Sequence, residues 1–278
     1  MIETKEETLS GPSGSLFLRS WRGSTSPRAI LSICPGFNSH SGYYSWVGAE
    51  CAAAGYPTYA VDLRGRGKSE GERCYVQSFS DYVADLRAVV MLARTRDPLE
   101  PVFLLGHSAG GVVCCLYALD HGQELAGFIC EDFAFELPAP DFALAVLKGI
   151  SHVAPHAHSL TLKNAEFSRD AKVVATMDSD PLIVGESQPF ATAAAIVRAD
   201  ERLKREFSNI KTPALIIHGT ADKATKPSGS QHFYEHAGAA DKTLKLYEGR
   251  YHDPLNDLGK EEVMSDILRW LDQRTAAG

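Results

Sequence analysis

GHSAG, at residues 106–110, fits the pattern G-x-S-x-G, and the segments on either side give that pattern a structural context. The apolar run at residues 102–105 predicts a short buried strand, and residues 112–119 predict a helix. A tight turn between a strand and a helix lifts a serine hydroxyl out of the sheet. The two glycines permit the close backbone approaches that such a turn needs. Ser108 is therefore the first candidate for a catalytic nucleophile.

The composition restricts the class of protein. The chain has 278 residues, of which 44% are hydrophobic and 23% charged, enough for one large core or a core with an inserted subdomain. The net charge is −7 and the basic residues are dispersed, so no nucleic-acid partner is expected. The apolar runs are too short to span a bilayer, and the charged start lacks the apolar run of a signal peptide.

Cysteine and histidine spacing gives no sign of a metal site. The six cysteines lack C-x-x-C spacing, and four of them lie in predicted buried strands or helices, where a free cysteine behaves as a small hydrophobe. The histidines at 152, 156 and 158 have no carboxylate or cysteine at ligand spacing. We expect a cytoplasmic protein without a metal or another cofactor.

The order of predicted elements indicates the fold class. An opening hairpin is followed by strands and helices that alternate, which predicts an α/β fold with a mostly parallel central sheet flanked by helices. Sites in such sheets lie at the carboxyl ends of the strands. Strands are predicted at residues 4–9, 16–21, 29–34, 58–61, 101–105, 125–130, 213–218 and 243–247. Helices are predicted at residues 43–54, 80–94, 112–119 and 260–273.

One long segment interrupts this alternation. Residues 137–209 contain no convincing strand, only helical patches, a loop with histidines and scattered prolines. An unstructured loop of that length would be unusual inside a compact domain. We therefore predict that residues 137–209 form an inserted helical cap, and that residues 1–136 and 210–278 form the core.

A catalytic serine needs a base within hydrogen-bond reach and an acid that orients the base. In this topology the order along the chain is serine, acid, histidine. Asp222 lies in a glycine-containing turn after the predicted strand 213–218, and His252 follows the last predicted strand. Asp132, after the strand at 125–130, and Asp62, after the strand at 58–61, stay open as alternatives for the acid. The role depends on geometry rather than on position in the chain.

The negative charge that develops on a substrate carbonyl oxygen needs two backbone N–H donors. One should come from Ala109, which follows the nucleophile. The other should come from the loop after the strand 29–34. Pro35 has no N–H, so Phe37 is the expected donor, with Gly36 as the alternative.

With these segments assembled, the chain resembles the monoacylglycerol lipase and lysophospholipase-like group of α/β-hydrolases over nearly its whole length. Besides the three turns that carry candidate catalytic residues, the resemblance rests on DLRGRGKSEG at 62–71, FSRD at 167–170 and DPL at 180–182. It implies an α/β-hydrolase fold and a serine esterase that cleaves the ester of a single acyl chain under a small helical cap. It also implies that Ser108, Asp222 and His252 form the triad, since they match it by position.

The chain departs from the family pattern around the expected site. Pro35 stands where the family usually has histidine, and Ala109 where it has methionine. Members that cleave monoglycerides often carry glutamate and arginine, implicated in holding glycerol, where this chain has Ser39 and Tyr43. Ser39 and Tyr43 stay candidate substrate-binding residues, but they do not imply that the substrate has a glycerol headgroup. Glu131-Asp132 replaces small neutral residues and places charge near the pocket or a cap hinge.

The expected partner is a small-molecule ester with an acyl chain. No stable insertion into a membrane is expected, but transient contact of the cap with lipid stays open. Apolar residues at the cap are candidates for the acyl site, with ordinary packing against the core as the alternative. They are Phe135, Phe142, Leu144, Val146, Leu147, Ile150 and Val153. Two other functions stay open: a hydrolase of a lactone, thioester or peptide, and a non-catalytic ligand-binding protein with this fold.

Overall fold

The computed structural model describes residues 1–135 and 140–275, and a central sheet of eight strands organises them. Two further strands form a separate small sheet. The strands are β1 (Glu3–Gly11), β2 (Gly14–Arg22), β3 (Ile30–Cys34), β4 (Thr58–Val61), β5 (Val102–His107), β6 (Gly127–Glu131), β7 (His158–Leu160), β8 (Gln188–Pro189), β9 (Ala214–Gly219) and β10 (Lys242–Tyr247).

The central sheet has the strand order β1-β2-β4-β3-β5-β6-β9-β10. The first two pairings, β1 with β2 and β2 with β4, are antiparallel, and the other five are parallel. The prediction of a mostly parallel central sheet is therefore confirmed. The register pairs His107 of β5 with Glu131 of β6, and Glu131 with Ile217 of β9, so these strands end at the same edge of the sheet.

Helices cover both faces of this sheet, as predicted. They are α1 (Ser45–Ala53), α2 (Phe79–Arg96), α3 (Ala109–His121), α4 (Asp141–Val153), α5 (Ala171–Ser179), α6 (Phe190–Glu206), α7 (Pro227–His236) and α8 (Lys260–Thr275). Side chains alternate along each strand, so Val102 packs with α2 and α3 on one face, while Phe103 packs with α1 and α8 on the other. The helix predicted at 112–119 begins earlier, directly after Ser108.

The segment between β6 and β9 contains α4, α5 and α6 and the antiparallel pair of β7 and β8. The proposed boundary of the cap, between residues 136 and 137, lies outside the described residues. The prediction of no strand within 137–209 is wrong, because β7 and β8 form a short ladder there. With three and two residues, they are too short for the alternation of apolar and polar residues to reveal a strand.

Burial makes the cysteines unreactive. All six are buried and free, although the sulfur atoms of Cys115 and Cys130 lie 3.6 Å apart. Burial raises the pKa of the Cys51 thiol to about 12, so this side chain stays a neutral, small hydrophobe. Within the described parts of the chain, every helix is too short or too polar to cross a bilayer.

Candidate active site

Ser108 occupies a strained turn between β5 and α3. Its backbone has φ 55° and ψ −119°, a left-handed φ that a non-glycine residue rarely adopts. The turn is held by a hydrogen bond of 2.8 Å from the Ser108 N–H to the carbonyl of Glu131 on β6. A Cβ at Gly110 would lie 2.0 Å from the Cys34 carbonyl oxygen, so only glycine allows the helix to approach β3 this closely.

The structure brings Ser108, His252 and Asp222 into one line. The Ser108 Oγ lies 2.9 Å from His252 Nε2, and His252 Nδ1 lies 2.8 Å from Asp222 Oδ2. His252 and the Asp222 carboxyl are buried, and Ser108 is 4% exposed. Since Asp222 occupies Nδ1 of the imidazole, the nitrogen that faces Ser108 is available as a proton acceptor when the imidazole is neutral.

Local turn geometry holds Asp222 as an ionised acid. Its Oδ1 accepts hydrogen bonds from the N–H groups of Ala224 and Thr225, at 2.7 and 3.0 Å, and its Oδ2 accepts one from the Thr225 hydroxyl. Burial opposes ionisation of this carboxyl. The charge of His252 and hydrogen bonds from His218, His252 and Thr225 outweigh burial and hold the pKa of Asp222 well below its ordinary value.

The two alternative acids have other partners. Asp62 accepts hydrogen bonds from the N–H groups of Ser41 at 2.7 Å and Lys68 at 2.8 Å, so it organises the loops after β3 and β4. Asp132 is close to the line of three residues. A ligand atom of each of Asp132, Asp222 and His252 lies within 4.8 Å of the other two.

The expected oxyanion donors lie on elements that meet at the nucleophile. Ala109 is the first residue of α3, and Gly36, next to Phe37, packs so closely that a Cβ there would lie 2.8 Å from the Ser108 Cβ. The residue after Phe37, Asn38, has φ 51° and donates its N–H to Glu186 Oε1 at 2.9 Å. The donor roles of Phe37 and Ala109 stay predictions.

A buried ion pair that the sequence did not reveal lies behind this loop. Arg66 is 1% exposed, and its guanidinium lies 4.2 Å from the centre of the Phe37 ring. It pairs with Glu186 and donates to Gln188 Oε1 at 2.6 Å and to the Tyr82 hydroxyl at 3.0 Å. Glu186 comes from the cap, 120 residues further along the chain, and spacing alone gave no signal for this contact.

A second contact that the sequence did not reveal joins the cap to His252. The Phe167 ring and the His252 imidazole make a T-shaped contact, with ring centres 4.9 Å apart and an interplanar angle of 87°. The Asp253 N–H donates to the Phe167 carbonyl at 2.9 Å. From the core side, His107 Nε2 donates to the His252 carbonyl oxygen at 2.9 Å. These contacts hold the turn that carries the imidazole.

The candidate substrate residues have varied surroundings. Ser39 is buried near the Tyr44 phenol, and the Tyr43 hydroxyl donates to Asp180 Oδ2 of the cap at 2.9 Å. Phe135 is buried and stacks on Phe133, with ring centres 5.5 Å apart. On α4, Phe142 and Ile150 are exposed to solvent and Leu147 is half-buried. Their roles in binding stay predictions.

The comparisons with known proteins agree with this fold. The sequence profile of the family described as serine aminopeptidase, S33, matches residues 25–259. The chain belongs to this family. Monoglyceride lipase of Homo sapiens is 31% identical over 94% of this chain and 88% of its own length. Monoacylglycerol lipase of Mycolicibacterium smegmatis is 29% identical over 90% of each chain. The structure of Paleococcus ferrophilus monoacylglycerol lipase superposes with a TM-score of 0.84 at 28% identity, covering 93% of this chain and 99% of that one.

Membership of this family confirms the predicted class. The chain is an enzyme, a serine hydrolase with the α/β-hydrolase fold, and it is similar to monoacylglycerol lipases. The sheet order agrees with this fold, since Ser108 follows the central strand β5 at the carboxyl edge.

Proposed function

We propose that this serine hydrolase cleaves carboxylic esters of a single acyl chain, with Ser108 as nucleophile, His252 as general base and Asp222 as the acid that orients it. Two consecutive hydrogen bonds carry the proposal, 2.9 Å from Ser108 Oγ to His252 Nε2 and 2.8 Å from His252 Nδ1 to Asp222 Oδ2. The relatives from Homo sapiens and Mycolicibacterium smegmatis are lipases of monoglycerides and monoacylglycerols, which favours a substrate with one acyl chain.

The first half of the reaction forms an acyl-enzyme. The neutral His252 Nε2 removes the proton of Ser108 Oγ while this oxygen attacks the ester carbonyl carbon. The carbonyl oxygen becomes negatively charged, and the N–H groups of Phe37 and Ala109 donate to it. Each such donor contributes roughly 3 kcal/mol to lowering the barrier. Collapse of the intermediate expels the alcohol, which takes the proton from His252.

The second half releases the acid. Water gives a proton to His252 and attacks the acyl carbonyl carbon, and the same two N–H groups stabilise the new anion. When the intermediate collapses, the bond to Ser108 Oγ breaks and His252 returns its proton to that oxygen. Throughout, Asp222 stays ionised and keeps the imidazole in the orientation that points Nε2 at Ser108.

An exposed apolar stripe on α4 supports a lipid-like substrate. Phe142, Val146, Ile150 and Val153 are spaced by four, four and three residues, so they share one face of the helix. Their exposed fractions are 73, 57, 37 and 87%. Such a stripe is typical of a helix that lies against a lipid surface. We infer that the cap makes transient contact there while the enzyme takes up its substrate.

Labelling by a fluorophosphonate probe tests the nucleophile. The wild-type protein should be labelled once and lose its activity, and Ser108→Ala should be neither labelled nor active. Ser45→Ala, at an exposed serine, is the matched control and should behave as the wild type. A wild-type protein that is folded but unlabelled would contradict the proposal and favour a non-catalytic ligand-binding protein.

A panel of p-nitrophenyl esters from acetate to dodecanoate, measured beside 1-monoacylglycerols, tests the substrate class. We expect kcat/KM to rise with chain length, because each methylene group that becomes buried contributes about 0.8 kcal/mol. Highest activity on acetate would contradict an acyl site. Hydrolysis of p-nitrophenyl esters without hydrolysis of monoacylglycerols would exclude the glycerol headgroup.

A second candidate is hydrolysis of another small substrate, a lactone, thioester or peptide. It is favoured by Ser39 and Tyr43, which do not supply the charges of the glutamate and arginine that monoglyceride-cleaving members often carry there. Ser39 is buried, and the Tyr43 hydroxyl is hydrogen-bonded to Asp180. The matching family is also described as serine aminopeptidase. The test measures hydrolysis of aminoacyl p-nitroanilides, γ-lactones and acyl thioesters beside that of p-nitrophenyl esters. Enzyme inactivated with the fluorophosphonate probe gives the background rate.

A further inference from the structure

We propose that Asp132 and Asp222 form one carboxyl pair that carries a single negative charge, and that Asp132 is a second acid able to hold His252 when Asp222 cannot. The proposal rests on the proposed function, since it needs His252 to be the base. It is carried by the placement of Asp132 and by its unsatisfied oxygen.

The sheet places both carboxyls at one edge. Asp132 directly follows β6, Asp222 follows β9, and these strands are parallel neighbours. The Asp132 N–H donates to the carbonyl of Ile217 at 2.9 Å, and its Oδ1 accepts the Gly219 N–H at 3.0 Å. Both contacts are with β9, so Asp132 is fixed against the strand that leads to Asp222. Ligand atoms of the two carboxyls and of His252 all lie within 4.8 Å of one another.

Two features of Asp132 are unusual for a residue that only supports the fold. Its backbone has φ 44°, a left-handed conformation that costs free energy in a non-glycine residue and occurs most often at functional sites. Its side chain is fully buried, and Oδ2 lacks a hydrogen bond to any part of the chain that the structure describes. A buried oxygen without a partner has a high free energy unless it is protonated or gains a donor.

The surrounding groups allow only one of the two carboxyls to be ionised. Burial and the nearby charges of Asp222 and Glu131 raise the pKa of Asp132 well above its ordinary value. His218 lies between the pair, with Nε2 3.1 Å from Asp222 Oδ2 and 3.5 Å from Asp132 Oδ1. His252 completes the set of titratable groups that face Asp132. Two adjacent buried carboxyls titrate as a unit, so loss of one charge favours ionisation of the other.

Removal of the Asp222 side chain should therefore transfer the charge to Asp132. Without the Asp222 carboxylate, the main repulsion on Asp132 disappears, and the imidazolium that forms at His252 during catalysis attracts the new charge. Ligand atoms of Asp132 and His252 already lie within 4.8 Å of each other, so we expect a rotation of the Asp132 side chain into the vacated space to bring Oδ2 to His252 Nδ1. The Asp222→Ala variant should then be more active than a variant in which neither Asp222 nor Asp132 is present.

The test compares kcat/KM for the wild type, Asp222→Ala, Asp132→Asn and the double variant on a p-nitrophenyl ester. Loss of the triad acid with no replacement costs about 10⁴-fold. We expect a loss of about 10²-fold for Asp222→Ala, a few-fold loss for Asp132→Asn, and about 10⁴-fold for the double variant, more than the two single losses combined. Asparagine tolerates the left-handed backbone at position 132, so the turn should be kept.

The pH profile separates a catalytic role from a structural one. In Asp222→Ala, activity should fall on acidification at a higher pH than in the wild type, because the buried Asp132 is a weaker acid than Asp222. The double variant should lose this difference. Asp85→Asn in the Asp222→Ala background is the matched control, since Asp85 is also a buried carboxyl but pairs with Arg64 on another part of the fold, and it should leave the residual activity unchanged.

Equal kcat/KM for Asp222→Ala and the double variant would overturn the proposal, as would an unchanged pH profile. Circular dichroism and a cooperative thermal unfolding transition establish that each variant is folded. If Asp222→Ala does not fold, Asp222→Ser gives the same comparison, because its short side chain leaves most of the space free and its hydroxyl oxygen can still accept from the N–H groups of Ala224 and Thr225. A wild-type protein that is neither labelled nor active would instead overturn the proposed function.

Discussion

The proposed triad and the part of the cap that faces it are held in place by different forces. Each triad residue lies on a turn directly after a strand, and the strands run between two apolar layers. The cap front, which we define as residues 160–188, touches the core through directional polar contacts. They include the pairs Arg66–Glu186, His40–Asp180, Asn38–Asn164 and Asp257–Arg169.

The apolar cluster of the cap front is small, since it is built on three buried side chains, Phe167, Met177 and Ile183. The sheet register therefore sets the triad geometry almost independently of individual surface side chains. The cap front depends on a few specific pairs, one of them buried. Substitution of His252 should change chemistry with little change in stability, whereas substitutions in the buried pair should change both.

His252→Gln should have the largest effect. The variant loses the base, so kcat should fall by about 10⁴- to 10⁶-fold with little change in KM. The fold should be kept because glutamine fits the turn after β10, and the thermal midpoint should stay within a few degrees of the wild type. Steady-state kinetics and calorimetry measure both quantities. His236→Gln, at an exposed position on α7, is the control and should have full activity.

The triad geometry could be predicted from the sequence for a physical reason. The parallel strands β5 and β9 are short, mostly apolar runs, and β10 is an edge strand that mixes apolar and polar residues. Residues that follow parallel strands meet at one edge whatever the loops contain. The positions of Ser108, Asp222 and His252 after these runs were therefore enough to nominate them. The ambiguity between Asp222 and Asp132 could not be resolved in this way, because both follow neighbouring strands.

The contacts of the cap front could not be predicted. The pairing of Arg66 with Glu186 joins positions 120 residues apart, and neither lies in a periodic pattern that fixes which side chain it meets. The ladder of β7 and β8 involves too few residues for alternation to be seen. Long-range polar contacts of single side chains depend on tertiary geometry rather than on local propensity.

Glu186→Ala should have the second-largest effect, on stability and catalysis together. The variant leaves the buried guanidinium of Arg66 without its carboxylate, which costs about 3–5 kcal/mol in the free energy of unfolding. The thermal midpoint should fall by roughly 2–4 °C for each of those kcal/mol. The Asn38 N–H also loses its acceptor, so the loop that carries Phe37 is held less firmly and kcat should fall about tenfold.

Two controls separate the buried pair from ordinary surface pairs. The double variant Arg66→Met/Glu186→Met removes both charges and should recover most of the lost stability, while kcat stays low because Asn38 still lacks its acceptor. Asp120→Asn breaks the solvent-exposed contact with Arg202 and should cost less than about 1 kcal/mol. Equal losses for Asp120→Asn and Glu186→Ala would remove the distinction between the two regions.

Phe142→Ser combined with Val146→Ser should have a smaller and more selective effect. Both side chains are exposed, so the thermal midpoint and the hydrolysis of p-nitrophenyl acetate should stay unchanged. Hydrolysis of a monoacylglycerol presented in phospholipid vesicles should fall by about 3- to 10-fold, since apolar contact with lipid is lost. Leu99→Ser changes a 93% exposed apolar residue outside the cap and should have no effect on either substrate. A similar loss for both substrates would argue against a lipid-contacting face.

The smallest expected effect is the pH dependence of the free energy of unfolding that Asp132, a residue of the core, contributes. Burial, followed by the charges of Asp222 and Glu131, raises the pKa of Asp132, so above pH ~3.9 the folded chain keeps a proton that unfolded aspartate has lost. The folded state binds more protons, and its free energy of unfolding therefore falls as pH rises. Asp132→Asn removes this dependence. It should raise the free energy of unfolding by about 1 kcal/mol near pH 7, and the gain should vanish near pH 4.

The contribution of Asp222 to stability depends on pH in the opposite direction, so the measurement distinguishes the two carboxyls. Its pKa is lowered in the folded state, so its contribution to stability is present above pH ~3.9 and is lost as pH falls through the folded value. Asp222→Ala should therefore destabilise the protein near neutral pH, where Asp132→Asn stabilises it. Urea unfolding of both variants at a series of pH values measures the two slopes. Slopes of the same sign would show that the two carboxyls do not share one charge, and the buried acid behind the triad would then be an ordinary structural residue.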